Sequence, residues 1–470
     1  LDPIALSAEQ GSSEVPALEA IAAGGVVTPV GLDVDGLARL LRLSAGIIRR
    51  RLYAGGQTAY FRAAACTGAL YHIDLYLVTG ELDGLAAGLY HFGPHDFSLR
   101  RLRGGDLRPM LTEATGQEEA VSCAPVLVIS TSTLWRNSWK YQSRAYRHCY
   151  WDNGTMLANL LAVAAADAIP ARVVLGFVDE SVSRLLDLDR EKELPLSIVA
   201  LGSGDEPAQS ATATLGPLGL ATEPLSSREI DYPAIVRAHE DSSLGSPDEV
   251  AGWRAGSVSL PSSAPPPQTT VTMEPMGALP DRSIDRVIVG RGSSRRFAHK
   301  DIGLDQLSTL LDSATGSVAF DIVGTGGPNL CDVYLIVNAV KGVAPGSYFF
   351  DREGRRLELL RPGALRAEAG FLGLGQELPR DASVNVYLLC DLKAVLAAYG
   401  ARGYRAAQLE AAITGGRLYL AAYALGLGAT GLTFFDDQVT EFFSPHAAGK
   451  AVMFLVAAGH GRKLTAGQLA

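Results

Sequence analysis

The sequence predicts an α+β domain that occurs twice in tandem. The main observation is an internal repeat: residues 34–46 (VDGLARLLRLSAG) match residues 304–316 (LDQLSTLLDSATG) at an offset of 270 positions. After a length difference of twelve residues the offset becomes 258 and stays there, as in Asp74-Leu-Tyr-Leu and Asp332-Val-Tyr-Leu. Two copies of roughly 200 residues indicate a duplicated domain rather than a solenoid of short units.

Helical and strand patterns occur in a mixed order within each copy. In the first copy, apolar spacing predicts helices at residues 34–43 and 150–168. Runs rich in β-branched and aromatic residues predict strands at residues 73–78, 126–130 and 197–201, and a hairpin at 88–102. This order of helix, strand, hairpin, strand, helices and two strands is typical of an α+β domain.

The segment between the copies has the composition of a linker. Residues 206–280 are rich in Ser, Pro, Ala and Thr and include the run PSSAPPPQ at 261–268. Apolar residues in its earlier part, at 229–236 and 249–253, favour docking on a domain surface. The sequence thus predicts a first domain at 1–205, a partly ordered crossing segment at 206–280, and a second domain at 281–470.

Composition excludes several classes of function. The 470 residues are 47% hydrophobic and 19% charged with a net charge of −9, so no overall basic field favours nucleic acid or an anionic membrane. Five scattered cysteines without a CxxC pair indicate neither a disulfide framework nor a zinc knuckle, and the eight histidines show no ligand spacing, so no metal is predicted. A reducing cytoplasm is the expected compartment.

One apolar stretch could be mistaken for a membrane span. Residues 418–435 carry no charge, but Gly426, Gly428 and Gly431 interrupt them, which predicts a buried helix, a loop and a strand. The run GLGATG at 426–431 also fits the dinucleotide-binding pattern literally. That pattern requires a strand before the turn and a helix after it, whereas here the helix comes first, so a glycine cap at a helix end is the simpler interpretation.

A turn in the second copy is suited to binding an anion. Arg291-Gly-Ser-Ser-Arg-Arg-Phe places guanidinium groups on either side of small residues, and Arg forks with a Ser hydroxyl pair well with phosphate oxygens. The alternative is a solvated basic turn at a helix start.

These motifs together resemble a known family. The turn at 291–297, GALYHIDLY at 68–76, GLYHF at 88–92, WKYQSRAYR at 139–147 and GLGATG at 426–431 are similar, in order and spacing, to the flavin-dependent nitroreductase superfamily. Within it, the chain resembles the azoline dehydrogenases, which aromatise thiazolines and oxazolines in ribosomally made peptides. The resemblance implies FMN bound at the interface of two domains, so we expect the two copies to form a pseudo-dimer within one chain.

The resemblance also divides the FMN site between the copies. The second copy is expected to supply a cofactor-binding set: Arg291, Ser293, Arg295, Gly428, Ala429, Thr430 and one of Arg462 and Lys463. The first copy is expected to supply the small loop Ala65, Cys66 and Thr67 together with a lid at residues 135–146. Family members often have Pro-Ser in the small loop, so Thr67 is the expected hydrogen-bonding substitute.

Comparing the copies predicts that one site is kept and its twin is lost. The first copy has Ile21, Ala23 and Gly25 where the second has the phosphate-binding Arg291, Ser293 and Arg295. It also has Ala168, Pro170, Ala171 and Val173 in place of the glycine-rich run. Conversely, the second copy has Ala398 where the first has Lys140.

The resemblance makes Lys140 and Tyr141 the candidates for moving a proton during catalysis. A lysine base must first lose its own proton, which desolvation under an aromatic lid would favour. The alternatives are a surface cation on an amphipathic helix for Lys140, and core packing or a nucleic-acid stacking platform for the surrounding aromatic residues. The acidic net charge argues against the last of these.

The sequence therefore predicts an FMN-dependent oxidation of thiazoline to thiazole, or oxazoline to oxazole, in a peptide. One alternative is an NAD(P)H-dependent reductase of nitro, quinone or ene compounds, and another is a flavin-poor scaffold that presents a peptide to partner enzymes. The expected partners are a peptide or small-molecule substrate and a cyclodehydratase or other biosynthetic enzyme. Neither nucleic acid nor a membrane is expected, and further oligomerisation is left open.

Overall fold

A computed structural model describes residues 1–8, 11–23, 31–53, 55–204, 215–258, 269–322 and 329–462. The strands of the first copy are β1 Pro3–Ala5, β2 Ile47–Leu52, β3 Thr58–Arg62, β4 Ile73–Thr79, β5 Gly88–Gly93, β6 Ser98–Gly104, β7 Val126–Thr133, β8 Ala171–Val174 and β9 Glu193–Leu201. Its helices are α1 Ala17–Ala22, α2 Val34–Ser44, α3 Arg108–Ala114, α4 Glu119–Cys123, α5 Trp135–Tyr141, α6 Ala145–Ala166 and α7 Asp179–Leu186.

The remainder of the chain repeats this series after two connecting helices, α8 Pro233–Glu240 and α9 Pro247–Arg254. The strands that follow are β10 Thr270–Thr272, β11 Cys331–Val337, β12 Gly346–Asp351, β13 Arg356–Pro362, β14 Val384–Cys390, β15 Gly428–Gly431 and β16 Ala451–Gly459. The helices are α10 Ile284–Gly290, α11 Leu304–Ala314, α12 Arg366–Leu372, α13 Glu377–Asp381, α14 Leu392–Tyr399, α15 Arg402–Ala424 and α16 Asp436–Phe443.

Each copy builds a seven-stranded antiparallel sheet, and the two sheets have the same strand order. The order is β1-β6-β5-β4-β7-β9-β8 in the first copy and β10-β13-β12-β11-β14-β16-β15 in the second. Strands β11, β12, β13 and β16 lie 258 residues after β4, β5, β6 and β9, and α11 lies 270 residues after α2. The prediction of two tandem α+β domains is confirmed.

The twelve-residue difference between the copies lies where the first copy forms the β2–β3 hairpin. This hairpin is a separate two-stranded sheet that pairs Arg49 with Phe61 and Arg51 with Ala59. The sequence comparison located the length difference but gave no structure for the extra residues.

The two copies pack on each other through their longest helices, α6 and α15. Gly154 of α6 faces Ala412 of α15, and Gly416 of α15 faces Ala158 of α6. Each glycine therefore contacts the residue at the equivalent position of the other copy. Such contacts between equivalent positions are typical of a two-fold symmetric interface. The copies are thus arranged as a pseudo-dimer within one chain.

Gly154→Ala tests this crossing. A methyl group at Gly154 would overlap the Ala412 side chain, and such overpacking typically costs about 1–3 kcal/mol. Gly252→Ala, in helix α9 with no atom within 4 Å of the added methyl group, is the matched control. Thermal melting should show a lower midpoint for the Gly154 variant and an unchanged or higher one for the control. Equal midpoints would contradict this packing.

The described part of the connecting segment packs against both copies. Trp253 of α9 is buried and its Nε1 donates a hydrogen bond to the Tyr399 carbonyl oxygen at 3.0 Å. Tyr146 of α6 donates to the Ala238 carbonyl oxygen of α8 at 3.2 Å. Among the described residues, no helix combines the length and the apolar character needed to cross a bilayer.

Candidate functional site

A cavity of about 780 Å³ lies between the two copies and is lined by both. The first copy contributes the β2–β3 hairpin, the loop after it and the end of α5. The second copy contributes the turn after α10, the strand β15 and Tyr419 of α15. Most of the predicted site residues line it: Ala65, Cys66, Thr67, Lys140, Tyr141, Arg291, Ser293, Arg295 and Thr430.

The turn after α10 presents its polar groups to this cavity. Arg291 is buried, and its Nη2 donates to the Ala63 carbonyl oxygen of the other copy at 2.8 Å. Its guanidinium also lies 5.5 Å from the centre of the Tyr419 ring, and the Ser293 hydroxyl is 3.3 Å from the Tyr419 hydroxyl. Arg295 is exposed and has no hydrogen bond or ion pair with any described residue.

The glycine-rich strand β15 packs against this turn. The Ser294 amide donates to the Ala429 carbonyl oxygen at 2.9 Å, and a methyl group at Gly428 would overlap the Ser294 hydroxyl. Gly428 and Ala429 therefore allow the strand and the turn to approach closely, while Thr430 reaches the cavity. Gly426 has φ +74°, as a glycine that caps a helix end does.

The late basic pair is placed differently from the expectation. Arg462 is exposed, its amide donates to the Arg296 carbonyl oxygen at 3.0 Å, and its side chain is not part of the cavity lining. Lys463 lies outside the described residues.

Lys140 and Tyr141 converge on the small loop of the first copy. A methyl group placed on Gly68 would lie 2.9 Å from the Tyr141 hydroxyl and 3.3 Å from Lys140 Nζ. The Lys140 ammonium also lies 5.2 Å from the centre of the Tyr141 ring. Both side chains therefore end in the space above Gly68, and both line the cavity.

The aromatic lid over this pair is not observed. Lys140 is exposed, and Trp139 beside it is 53% exposed. Trp135 donates from Nε1 to the Ser226 hydroxyl at 2.9 Å, and Tyr146 is buried against α8. Within the predicted lid, 135–146, only Lys140 and Tyr141 line the cavity, while Trp135 and Tyr146 contact the connecting segment.

The small loop is held by a buried carboxylate that sequence reasoning missed. Asp152 of α6 accepts hydrogen bonds from the Thr67 amide at 2.8 Å and from the Thr67 hydroxyl at 2.7 Å. Its other oxygen lies 2.8 Å from His72 Nε2 and 3.0 Å from Cys66 Sγ. A signal was available, because Asp152 is an acid within a buried helix and the matching residue of the second copy, Glu410, is also an acid.

Burial and neighbouring charges determine the protonation states of these groups. Burial alone would raise the pKa of Asp152, but the hydrogen bond and charge of His72, with the Cys66 thiol, hold it below its ordinary value. Burial and the neighbouring Asp152 carboxylate raise the pKa of the Cys66 thiol well above its usual range. Cys66 is therefore a neutral hydrogen-bond donor rather than a nucleophile.

The same three side chains offer ligand-type atoms within 4.8 Å of one another. The sequence could not reveal this cluster, because Cys66, His72 and Asp152 come from a loop, a strand start and a helix. In the structure these groups hydrogen-bond to each other, and the absence of a metal stays a prediction.

The loop that carries these groups is strained. Ala69 and Tyr71 have φ of +54° and +49°, in the left-handed region that non-glycine residues rarely adopt, and Gly68 has φ +62°. Such strain persists where the surrounding contacts fix it and is common at functional sites.

Described residues fill part of the position that the repeat relates to this cavity, the twin site. Leu175 and Gly176 match Thr433 and Phe434, and their amides donate to the Asp321 carboxylate at 2.9 and 2.8 Å. The Trp253 ring packs on Gly176. Ile21 is buried in the core, and Gly25 lies outside the described residues.

On the side of this twin site that the second copy forms, Glu410 takes the place of Asp152. It accepts hydrogen bonds from the Leu330 amide at 2.9 Å and the Cys331 amide at 3.0 Å. Burial raises the pKa of Glu410 to about 7 despite these bonds and the charge of Arg352.

This shift predicts how stability depends on pH. An acid whose pKa is raised on folding stabilises the folded state below its unfolded pKa and loses that contribution as the pH rises to the folded value. The free energy of unfolding should therefore fall by about 3 kcal/mol between pH 4.5 and 7 because of Glu410. Melting midpoints of the parent should fall more steeply than those of Glu410→Gln over this range. Parallel curves would show that the carboxyl group does not titrate as inferred.

A second cavity, of about 1040 Å³, lies on the outer face of the first sheet beneath residues 218–240. It contains neither the turn at 291–297 nor the small loop at 65–67. We therefore assign the candidate site to the smaller cavity, where both copies contribute groups suited to chemistry.

Comparison with known proteins agrees with this architecture. The model of the nitroreductase family matches residues 288–460. The chain carries a nitroreductase family domain. A crystal structure from Anabaena variabilis, itself only inferred to be a nitroreductase, covers 98% of this chain and 94% of its own at 26% identity and a TM-score of 0.74. With the two matching sheets, this shows two nitroreductase-like domains in the chain.

Two further sequences give weaker matches. MJ1384 of Methanocaldococcus jannaschii, also only inferred to be a nitroreductase, is 22% identical over 30% of this chain and 70% of its own. The microcin B17-processing protein McbC of Escherichia coli is 24% identical over 29% of this chain, and the match spans about half of McbC, 52%. The nitroreductase resemblance seen in the sequence is confirmed, and the McbC match supports its azoline dehydrogenase branch.

Proposed function

We propose that this nitroreductase-family protein binds FMN in the cavity between its copies and oxidises azolines to azoles in a ribosomally made peptide. The observation that carries the proposal is the convergence of Lys140 and Tyr141 over Gly68, in the same cavity as the Arg291–Arg295 turn. The similarity to a microcin B17-processing protein supports a peptide substrate.

The residues present fit a cofactor that carries a phosphate. The cavity volume, about 780 Å³, lies within the usual range for cofactor sites. Arg295 faces this cavity with no acidic partner among the described residues, and an anionic ligand would satisfy it. Arg291, Ser293 and Arg295 would hold the phosphate, and the loop at Ala65–Thr67 would lie against the rest of the cofactor.

The reaction removes a proton from one ring carbon and a hydride from its neighbour. Bound FMN supplies the acceptor for the hydride. Lys140 Nζ takes the proton, and the Tyr141 hydroxyl, which faces the same space, orients the azoline ring or shares the proton. Lys140 is exposed in the structure, so the bound peptide itself must cover the amine during the reaction.

Asp152 positions the loop beneath this reaction. Its carboxylate fixes the Thr67 amide and hydroxyl and keeps the Cys66 thiol protonated. The loop is thereby held rigid next to the reacting ring, and no thiolate competes as a nucleophile.

A reductase that takes electrons from NAD(P)H is the second candidate. Arg49 and Arg51 of the first copy line the cavity and have no hydrogen bond or ion pair with a described residue. They favour the reductase, since a dinucleotide phosphate could bind there. The retained Arg291, Ser293 and Arg295 disfavour a flavin-poor scaffold. For the dehydrogenase, a cyclodehydratase is the partner that the chemistry implies, because it produces azolines.

The flavin half-reaction tests the proposal. Purified protein should be yellow, and a thiazoline peptide added without oxygen should bleach its visible absorbance while the peptide loses two hydrogens. NADPH should bleach it more slowly. If NADPH alone bleaches the protein and the peptide is returned unchanged, the reductase is the better description.

A further inference from the structure

The β2–β3 hairpin places arginines at the mouth of the cavity. Side chains of a strand alternate between its two faces, and on β2 the residues Arg49 and Arg51 line the cavity while Arg50 lies on the opposite face. All three are exposed. The hairpin falls at the twelve residues by which the first copy exceeds the second, so this arrangement distinguishes the kept site from its twin.

Neither Arg49 nor Arg51 has a hydrogen bond or ion pair with any described residue. Each guanidinium instead lies against an aromatic ring: Arg49 is 5.2 Å from the centre of Phe61, and Arg51 is 4.9 Å from the centre of Tyr53. Stacking on a ring holds a guanidinium in place without neutralising it. Two oriented cations therefore face the cavity of a protein whose net charge is −9.

The two arginines reach different parts of the cavity. Arg49 Nη2 would lie 3.6 Å from a methyl group on Gly292, so it reaches the turn that contains Arg291 and Ser293. Arg51 lies two residues further along the strand, which corresponds to a rise of about 6.6 Å. One phosphate at the turn can satisfy Arg49, but Arg51 is left for a different anionic group.

We infer that Arg51, held by Tyr53, forms a binding subsite for an oxyanion of the molecule that reacts in this cavity. The oxyanion is a carboxylate of the substrate peptide, close in sequence to the azoline, or a phosphate of a dinucleotide reductant. A guanidinium fork suits both groups. This inference rests on the proposed function, since it takes that cavity as the place of reaction.

A role in solubility is the alternative for these residues, because charged side chains on a short two-stranded sheet also prevent edge-to-edge association. Arg50 separates the two explanations. It is exposed on the same strand with the same charge but faces away from the cavity, so Arg50→Gln is the matched control for Arg51→Gln.

The experiment compares both variants on a thiazoline peptide with Asp next to the ring and on its Asn counterpart. Arg51→Gln should raise KM for the Asp peptide about tenfold, the usual effect of one charge-assisted hydrogen bond. The kcat and the KM for the Asn peptide should not change, and FMN content should equal that of the parent. Arg50→Gln should match the parent throughout.

A second arm tests the dinucleotide source and does not depend on peptide oxidation. If a phosphate occupies the subsite, Arg51→Gln should raise KM for NADPH about tenfold in flavin reduction. Inorganic pyrophosphate, titrated into the FMN-bound protein by calorimetry, should bind the parent and Arg50→Gln more tightly than Arg51→Gln. If the two variants behave alike in every arm, the subsite is refuted. If the peptide is not oxidised but pyrophosphate still distinguishes them, the proposed dehydrogenase function fails and the subsite stands.

Discussion

Lys140→Ala is expected to give folded, yellow protein that has lost most of its turnover of a thiazoline peptide. A positioned general base contributes about 100- to 10,000-fold to a rate, and Lys140 Nζ is the amine that reaches the space above Gly68. Because Lys140 is exposed and has no ion pair with a described residue, its removal should not disturb the fold. The measurement is kcat by mass analysis of the peptide product, with FMN content determined in parallel.

Lys393→Ala is the matched control for this variant. Lys393 is an exposed lysine on α14, the helix of the second copy that corresponds to α5, and it should leave turnover unchanged. Tyr141→Phe should cost less than Lys140→Ala if the hydroxyl only orients the ring, and a similar amount if it shares the proton. Near-parental turnover by Lys140→Ala would remove the lysine from the mechanism.

Loss of the two arginines of the phosphate turn should weaken FMN binding by two orders of magnitude or more. Each charge-assisted contact contributes roughly 1.5 to 3 kcal/mol. The structure separates the two residues: Arg295 is exposed and Arg295→Ala should change affinity alone, whereas Arg291 also bonds to the Ala63 carbonyl oxygen and its loss should lower stability as well. Flavin fluorescence titration and thermal melting together measure both effects.

The neighbouring Arg296 provides the control, because it is exposed on the same turn but does not line the cavity. Arg296→Ala should keep the parental affinity for FMN. Ala23→Ser, at the matching place in the first copy, should also leave flavin content alone. Release of flavin by Ala23→Ser would mean that the two copies have been assigned the wrong half-sites.

Much of the fold could be predicted because the chain contains an internal repeat, so that its two copies could be compared with each other. Buried strands such as β4 and β9 are mostly apolar in both copies, and a constant offset of 258 fixed their correspondence. The offset of 258 paired Lys140 with Ala398, and the offset of 270 paired the phosphate turn with Ile21 and Ala23. These inferences need only local patterns and chain order.

The remaining features of the site depend on contacts between distant residues. Asp152 gains its role only because the fold places Thr67 and His72 beside it. Whether Lys140 is covered depends on how the chain after α5 packs, and that chain turns Tyr146 toward α8 and leaves Trp139 exposed. The arginine side chains of β2 alternate between the two faces of the strand. Only the position of the cavity shows that Arg49 and Arg51 face it and that Arg50 does not.

The number of FMN molecules bound per chain tests most directly the claim that one site was kept and its twin lost. The phosphate turn occurs once in the sequence, and described residues fill part of its twin site, where the Leu175 and Gly176 amides bind Asp321 and the Trp253 ring packs on Gly176. Flavin released from a known quantity of protein should therefore amount to about one FMN per chain after saturation and removal of excess. A value near two would show that the twin site also binds the cofactor. It would contradict the claim that only one site was kept.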